Sequence, residues 1–144
     1  MSAKIKALEQ HFLMELNKGK EASMAVMDEV CATDIIVHSA SGTDICGLEN
    51  FKKNCIMTIN AFPDYRCTLE DVIVEGNKAV IRYSTTGTHK GGFMGIPATN
   101  KKVKFWAIEI DQFASGKIVE IWSRLDTLNL MQQLGVIPTT GKEK

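Results

Sequence analysis

The hydrophobic pattern of this chain changes period near Pro63, and that change constrains the fold more than any single motif. Before Pro63, apolar residues recur every three or four positions, which is the pattern of helices that bury one face. After it, apolar and polar residues alternate in runs bounded by turn residues, as in β-strands. Helices early and strands late predict an α+β fold, in which helices cover one face of a mainly antiparallel sheet that curls and leaves a cavity.

The part before Pro63 is predicted to contain three helices. The first buries one apolar face, formed by Ile5, Leu8, Phe12 and Leu16. The predicted elements are this first helix, ending near Gly19, a second helix at 21–31, a short strand at 34–38, a loop at 39–47 and a third helix at 48–60.

The part after Pro63 is predicted to form two β-hairpins and a last helix. The strands are placed at 66–75, 78–88, 102–113 and 117–125, the helix at 127–134 and a polar tail at 139–144. No internal boundary is visible, so residues 1–144 are predicted to form one domain. On each strand, one set of alternate residues faces the cavity and the other faces outward, and the pattern leaves both assignments open.

Charge and hydropathy restrict the partners of this chain. The 144 residues include 17 Lys and Arg and 17 Asp and Glu, so the formal net charge is zero. A nucleic-acid partner is not expected, because the sequence has no basic block or stripe. A membrane partner is not expected either, because no apolar run reaches membrane-spanning length. The N-terminus lacks a signal-peptide core, which predicts a cytoplasmic location.

The cysteines do not follow a metal-binding or disulfide pattern. The sequence has four, Cys31, Cys46, Cys55 and Cys67, with no CxxC pair among them. We expect free thiols, mostly buried, and no metal site. Because no phosphate-binding loop or dinucleotide fingerprint is present, we also expect no cofactor.

The segment 87–97 is the most unusual loop of the sequence, because it holds four glycines. Ordered glycines suggest special dihedral angles or a close approach of the backbone to another group. His89 stands where the preceding strand ends, and Phe93 and Met94 lie within the loop. We favour a loop that forms the rim of a small-molecule cavity, with Phe93 and Met94 against the ligand. The alternative is a purely structural hairpin.

Asp126 follows the last predicted strand and has two possible roles. The period of two places it on one face with Trp122 and Arg124. A carboxyl group beside a large aromatic residue could act as general base or acid, with Trp122 and Arg124 contacting the substrate. Alternatively, Asp126 caps the final helix by accepting from the amide of Asn129, which the spacing favours.

Other candidate residues depend on which strand face is inside. Arg82 could bind a carboxylate or a developing enolate oxygen if it faces the cavity, and otherwise it is a solvated or interfacial charge. His38 and His89 each end a strand, so they could move a proton at the cavity mouth or be ordinary hydrogen-bonded residues. Trp106 and Trp122 are either cavity walls or core.

The chain resembles the SnoaL-like polyketide cyclase (ester cyclase) family of the nuclear transport factor 2-like, ketosteroid-isomerase-type superfold. The resemblance covers nearly the whole chain. The matching segments are Phe62-Pro63-Asp64-Tyr65, the loop 87–97, Gly116-Lys117-Ile118-Val119-Glu120-Ile121-Trp122, Asp126 and Gln133-Leu134-Gly135.

The resemblance implies a cone of curved antiparallel sheet closed by three helices, usually in a dimer or a dimer of dimers. Cyclases of the family close a ring by intramolecular aldol condensation, with one aspartate as acid and base and without metal or cofactor. Asp126 corresponds to that aspartate. The resemblance places His38, Arg82 and His89 around it and makes Trp106 and Trp122 possible walls. Arg124 stands where the antibiotic cyclases commonly have a histidine.

Three functions therefore remain open at this point. The first is a cofactor-independent cyclase or isomerase that acts on a small apolar carbonyl compound, with Asp126, His89 and Arg82 as catalytic residues. The second is a non-catalytic binding module with the same cavity. The third is a protein-interaction domain that docks partners on the outer sheet face. In each case we expect the chain to form a homodimer through that face.

Overall fold

The computed structural model describes residues 2–139. Within that range the elements are α1 (Ser2–Leu16), α2 (Lys20–Val30), β1 (Cys31–His38), β2 (Asp44–Cys46), α3 (Leu48–Ala61), β3 (Arg66–Glu75), β4 (Lys78–Thr88), β5 (Lys102–Ala114), β6 (Lys117–Leu125) and α4 (Thr127–Leu134). Residues 140–144 of the predicted tail lie outside the described range.

The strands form one mixed sheet in the order β2-β1-β6-β5-β4-β3. Strands β1 and β6 are parallel, and the other neighbouring pairs are antiparallel. The predicted α+β class is therefore confirmed. The placement of three helices at the N-terminus is not a clean match, because α3 follows β1 and β2 along the chain. The predicted loop 39–47 also contains a strand, β2, which pairs with the end of β1.

The main core lies between the helices and one face of the sheet. Helix residues Ile5, Phe12 and Met27 pack there against Ile35 of β1 and Ile121 of β6. All five side chains are buried, so the apolar faces predicted from the helical spacing do contact the sheet. This helix-covered side is called the concave face below.

The burial pattern of β5 shows which residues point to each face. Val103, Phe105 and Ala107 are buried, whereas the residues between them are exposed. The odd-numbered positions from 103 to 111 therefore face the helices, and the even-numbered positions face away from them. The side away from the helices is called the convex face below.

A second core cluster closes one end of the sheet. Phe62, at the end of α3, packs with Phe105 of β5 and with Leu130 and Leu134 of α4. Phe62 is 0% exposed and makes an edge-to-face contact with Phe93, with 5.1 Å between the ring centroids. This cluster holds the glycine-rich loop against α3.

Two of the loop glycines are explained by this packing. A Cβ atom on Gly91 would overlap the backbone carbonyl of Asn60, and one on Gly87 would lie 3.0 Å from the Cβ of Phe62. The amides of Lys90 and Gly91 both donate to the carbonyl of Ala61, at 2.9 and 3.2 Å. Close approach to α3 therefore accounts for these glycines, and no ligand is needed to explain them.

The convex face carries an apolar row that crosses four strands. Ile73 of β3 pairs with Val80 of β4, Val80 with Ile110 of β5, and Ile110 with Trp122 of β6. Ile73 is 63% exposed and Ile110 is 37% exposed. No helix within residues 2–139 is both long and apolar enough to cross a membrane.

Candidate active site

A cavity of about 290 Å³ lies between the concave face and the helices. Its walls are mainly apolar: Phe12, Leu13 and Leu16 of α1 line one side, and Phe105 and Ala107 of β5 line the other. The volume is close to the lower end of the range of about 300–1,000 Å³ that is typical of small-molecule pockets. The cavity therefore suits a compact, mostly apolar ligand.

The opening of the cavity is formed by two loops and α3. The lining residues exposed to solvent are Ser41, Asn54 and Met94. Phe93 lies beside Met94 in the lining and also contacts Phe62, so the glycine-rich loop forms part of the rim. Phe93 and Ile96 exchange two backbone hydrogen bonds, at 3.0 and 2.9 Å, which hold this turn in shape.

Glu109 of β5 is the one carboxyl residue among the described residues that line the cavity. It lies on the concave face because its position is in phase with Phe105 and Ala107. Tyr83, on the neighbouring strand β4, also lines the cavity and donates its hydroxyl to Oε2 of Glu109 at 3.2 Å. An apolar pocket thus holds a carboxyl group with a fixed hydrogen-bond donor.

Burial dominates the electrostatics of this pair. It raises the pKa of Glu109 above the ordinary range, and the hydrogen bonds with Asp111 and Tyr83 offset part of that rise. Burial likewise raises the pKa of Tyr83 well above its usual value, so the phenol stays neutral and remains a donor. A carboxyl group whose pKa is raised in a cleft is a candidate for general acid–base catalysis.

The other polar groups of the lining are uncharged. No Lys, Arg or His is present among the described residues that line the cavity. Hydroxyl groups come from Thr85 of β4 and Ser123 of β6, and Ser123 is the cross-strand partner of Glu109. The site therefore favours a neutral ligand, because no cation among the described lining residues would offset the charge of a buried anion.

Two cysteines lie on the cavity wall as neutral thiols. Cys55 of α3 and Cys67 of β3 are both in the lining, and burial raises the pKa of Cys55 to about 11. Burial also raises the pKa of Cys67. Because the thiolate is the nucleophilic form, neither residue is poised as a nucleophile at neutral pH.

Several residues assigned to the site from the sequence lie on the convex face instead. Arg82 donates Nε and Nη2 to Oδ2 of Asp71, at 2.9 and 2.7 Å, on the outside of the sheet. Trp106 is 38% exposed, with the ammonium of Lys104 5.0 Å from its ring centroid. The assignment of Arg82 and Trp106 to the cavity is corrected here, because the opposite set of alternate positions on β4 and β5 faces the helices.

The same correction applies to His38, Trp122 and Arg124. His38 stacks on Trp122 with ring centroids 5.4 Å apart, and its ring nitrogens contact Asp44 at 2.9 Å and Glu120 at 2.7 Å. These two carboxylates raise the pKa of His38. Arg124 is exposed and donates to the carbonyl of Ser123 at 2.7 Å. None of the three is among the residues that line the cavity.

Asp126 takes the alternative role that the spacing favours. It is the N-cap of α4, and its Oδ1 accepts from the amide of Asn129 at 3.3 Å. Asp126 is exposed and is not in the cavity lining, whereas Leu125 and Thr127 on either side of it are. The chain turns into α4 at this residue and directs the carboxyl group to the helix amides, so the cap is shown, whereas the role of Asp126 as the base stays a prediction.

His89 is buried inside the glycine-rich loop. It is 0% exposed, and its ring lies 5.5 Å from that of Phe62. The amide of Thr99 donates to Nδ1 of His89 at 3.2 Å, so the ring hydrogen is assigned to Nε2. His89 is not among the residues that line the cavity, and its catalytic role stays a prediction.

Comparisons with known proteins identify the family and the fold of the chain. The sequence profile of SnoaL-like polyketide cyclases matches residues 8–134. The chain belongs to the SnoaL-like polyketide cyclase family. No curated protein matches the sequence of this chain.

Solved structures share its fold. A protein from Jannaschia sp. CCS1, provisionally described as a SnoaL-like polyketide cyclase, superposes with a TM-score of 0.86 at 20% identity over 94% of each chain. TsrD from Streptomyces laurentii gives a TM-score of 0.83 at 27% identity, covering 94% of this chain and 97% of its own. AclR from Streptomyces galilaeus, provisionally described as a hydroxylase, gives a TM-score of 0.83 at 25% identity, covering 99% of this chain and 87% of its own.

Sequence reasoning missed Glu109, although a signal was available. Val103, Phe105, Ala107 and Phe113 mark one apolar face of β5, and Glu109 lies in phase with the first three. A carboxyl group in phase with buried residues is unusual and points to a functional site.

A metal centre is the remaining kind of candidate site. Within residues 2–139, the His, Cys, Asp and Glu side chains form no group of three or more that could hold a metal ion.

Proposed function

We propose that this SnoaL-like protein is a cofactor-independent acid–base catalyst that acts on a small, neutral, mainly apolar carbonyl compound. The observation that carries the proposal is Glu109, a carboxyl group with a raised pKa on the wall of an apolar cavity, hydrogen-bonded by Tyr83. The reaction class is an aldol-type cyclisation or an isomerisation, since both begin with proton removal from a carbon next to a carbonyl group.

The proposed chemistry needs one proton acceptor and one donor. The Glu109 carboxylate removes the α-proton of the bound ketone or ester, and the electron pair moves to the carbonyl oxygen as an enolate. In a cyclisation, the enolate carbon attacks a second carbonyl carbon of the same molecule and forms a carbon–carbon bond. Glu109 then returns its proton to the new alkoxide. The neutral lining favours such a substrate over one that bears a carboxylate or phosphate.

Glu109 takes the role that the resemblance implied for Asp126. The Glu109 carboxyl group faces the cavity, whereas Asp126 is exposed and caps α4. Substrate-contacting residues in this proposal include Phe93 and Met94 at the rim and Ser123 opposite Glu109. General acid–base catalysis by one such group typically contributes a rate factor of about 10²–10⁴.

Proton removal can be tested without knowledge of the natural substrate. The probes are neutral cyclic and aromatic β-ketoesters small enough for the cavity, incubated in D₂O, with deuterium incorporation at the α-carbon followed by NMR. We expect the wild-type protein to accelerate exchange and Glu109→Gln to lower the rate by a factor of about 100 or more. Glu75→Gln, at an exposed position of β3, is the matched control and should exchange at the wild-type rate.

Two outcomes would count against catalysis. Exchange by Glu109→Gln at the wild-type rate would remove Glu109 from the mechanism. Binding of a probe that raises the melting temperature without any exchange would favour a binding module with the same cavity. The apolar lining and the absence of charged groups other than Glu109 among the described lining residues support neutral-ligand binding in either case.

We also propose that the chain forms a homodimer through the convex face. The supporting observation is the apolar row of Ile73, Val80, Ile110 and Trp122, together with Ile108, which is 52% exposed. Exposed contiguous apolar surface of this kind is typical of protein interfaces.

A further inference from the structure

Two further carboxyl groups lie behind Glu109, outside the cavity lining. Asp111 is two positions along β5 on the same concave face, and Glu9 projects from α1 one helical turn before Phe12 and Leu13. Both Asp111 and Glu9 are 0% exposed. Asp111 therefore lies beside two other carboxyl groups, Glu9 and Glu109, and the acid–base step described above uses only Glu109.

Whether these carboxyl groups can hydrogen-bond to one another depends on which of them carry a proton. Within the described residues, no donor reaches either side-chain oxygen of Glu9 or Asp111. Asp111 is nevertheless in hydrogen-bonding contact with the side chains of both Glu9 and Glu109. Two carboxylates cannot hydrogen-bond, because both only accept; one of them must carry a proton. An ionised, buried carboxylate without a donor would cost several kcal/mol, on the order of the penalty for an unpaired buried charge.

The surrounding groups provide no counter-charge. The titratable groups on which Glu109 acts are Tyr83 of β4, Cys67 of β3 and Cys31 at the start of β1, all of which are neutral at pH 7. Lys117 lowers the pKa of Cys31, and its ammonium donates to the backbone carbonyls of Asp28 and Glu29, at 3.3 and 3.0 Å. The cluster must therefore be neutralised by protons of its own.

We propose that Asp111 is a positioning residue that remains protonated at neutral pH and donates its hydroxyl to the carboxylate of Glu109. Glu9 stabilises this state, because its nearby carboxyl group disfavours the loss of the Asp111 proton. Glu109 then accepts two hydrogen bonds, from Tyr83 at the cavity and from Asp111 behind it. The catalytic consequence rests on the proposed function, whereas the protonation state does not.

The two donors have a definite effect on Glu109. Hydrogen bonds donated to a carboxylate stabilise the ionised form, so they lower the pKa that burial has raised. They also fix the orientation of the carboxyl group, as a base requires when it must meet one carbon of a bound molecule. Asp111 thus favours the ionised form of Glu109, which is the form that acts as a base.

The test is a pH titration followed by ¹³C NMR of the Asp and Glu carboxyl carbons, in wild type, Asp111→Asn and Asp111→Leu. We expect the Asp111 signal of the wild type to remain that of a protonated acid at pH 7. Asparagine is neutral and keeps a donor, so Asp111→Asn should leave the Glu109 midpoint within about half a unit. Leucine removes the donor, so Asp111→Leu should raise the Glu109 midpoint by about one unit. Asp34→Asn, at an exposed position of β1, is the control.

Two results would overturn the proposal. The first is a carboxylate signal for Asp111 at pH 7. The second is a fall of about one unit or more in the Glu109 midpoint of Asp111→Asn, as expected when a like charge is removed. If Asp111→Leu does not fold, the wild-type and Asp111→Asn titrations still decide the question.

The same variants separate this inference from the proposed function. If Glu109→Gln retains exchange activity while Asp111 titrates as a protonated acid, the proposed function fails and the hydrogen bond stands. If Glu109→Gln is inactive while Asp111 is ionised at pH 7, this inference alone fails. Where both hold, the acidic limb of the pH–rate profile should move with the Glu109 midpoint in Asp111→Leu.

Discussion

The hydroxyl of Tyr83 donates to Oε2 of Glu109 across 3.2 Å, and this hydrogen bond joins β4 to β5 on the concave face. Both side chains line the cavity, so the bond lies where a ligand would contact it. Burial keeps the phenol of Tyr83 neutral, so its hydroxyl retains its proton. Tyr83 therefore acts as a donor to Glu109 and stabilises the carboxylate form. The register between β4 and β5 therefore places a hydrogen-bond donor beside Glu109, and this donor affects the pKa of the Glu109 carboxyl group.

Removal of the Tyr83 hydroxyl should lower the fraction of Glu109 that is ionised and able to accept a proton. A hydrogen bond to a charged group is worth about 1.5–3 kcal/mol, so Tyr83→Phe should lower kcat/KM for α-proton exchange roughly 10- to 100-fold. It should also raise the pKa of the acidic limb, because Glu109 loses a donor. The measurement is the pH–rate profile in D₂O.

Tyr65→Phe is the matched control for this change. Tyr65 lines the same cavity, but its hydroxyl donates to the carbonyl of Leu16 at 3.1 Å. Tyr65→Phe should therefore leave the acidic limb of the pH–rate profile at its wild-type position. A Tyr83→Phe profile that superposes on the wild type would show that the hydrogen bond has no influence on the reaction.

The stability of the protein should fall as the pH rises through the acidic range. Burial raises the pKa of Glu9 from 4.5 to about 7. Between these two values the folded state binds more protons than the unfolded state, so the free energy of unfolding decreases with rising pH. The slope for one such proton is at most about 1.4 kcal/mol per pH unit.

Glu9→Gln should flatten that dependence, because the amide does not titrate. We expect the variant to match the wild type near pH 4 and to be more stable than the wild type at pH 7, as measured by urea unfolding across this range. Glu21→Gln, an exposed position in the first turn of α2, is the control. A wild-type stability that rises from pH 4.5 to pH 7 would contradict the raised pKa of Glu9.

Asp126 should matter for stability and not for proton transfer. Loss of a helix N-cap costs about 1 kcal/mol, so Asp126→Ala should lower the free energy of unfolding by that amount. Asp126→Asn and Asp126→Ser retain a capping oxygen and should lose less. The exchange rate should stay near the wild-type value in all three. A fall of about 100-fold in folded Asp126→Asn would restore Asp126 as the base.

The different outcomes for Asp126 and Glu109 show what local pattern can and cannot predict. The helices, the two hairpins and the capping role of Asp126 follow from spacing within about ten residues, which is how far helical and turn signals extend. On β5, however, both sets of alternate positions are partly apolar: Phe105 and Ala107 on one, Trp106 and Ile108 on the other. Which set faces the cavity depends on helices that come from a distant part of the sequence.

The choice of inner face applies to a whole strand at once. Because a strand alternates with a period of two, this choice decides whether Arg82, Trp106 and Trp122 face the cavity, or whether the opposite positions, such as Glu109, do. The pairing of β1 with β6 is also non-local, since it joins residues about 85 positions apart in a parallel arrangement that periodicity does not predict. The family resemblance supplied the cone-shaped fold, but not the orientation of individual side chains.

Gly91 should be indispensable to the glycine-rich loop. An added Cβ would overlap the backbone carbonyl of Asn60, which cannot move without disturbing the end of α3. We expect Gly91→Ala to destabilise the fold by roughly 1–3 kcal/mol, the usual cost of overpacking. Gly92→Ala is the matched control, because its Cβ would be 3.8 Å from the nearest atom, the carbonyl oxygen of Ile96. Equal stabilities of the two variants in thermal unfolding would contradict this account.

Self-association should depend on the convex face. Ile110 of β5 lies between Val80 and Trp122 on the neighbouring strands and is 37% exposed. Burying a carboxylate there is costly, because neither cross-strand partner is a cation, so Ile110→Glu should convert the dimer to a monomer. Met57→Glu, on α3 and 64% exposed, is the control and should leave the mass unchanged. Light scattering at micromolar concentration checks both, and a monomeric wild type would contradict the proposed dimer.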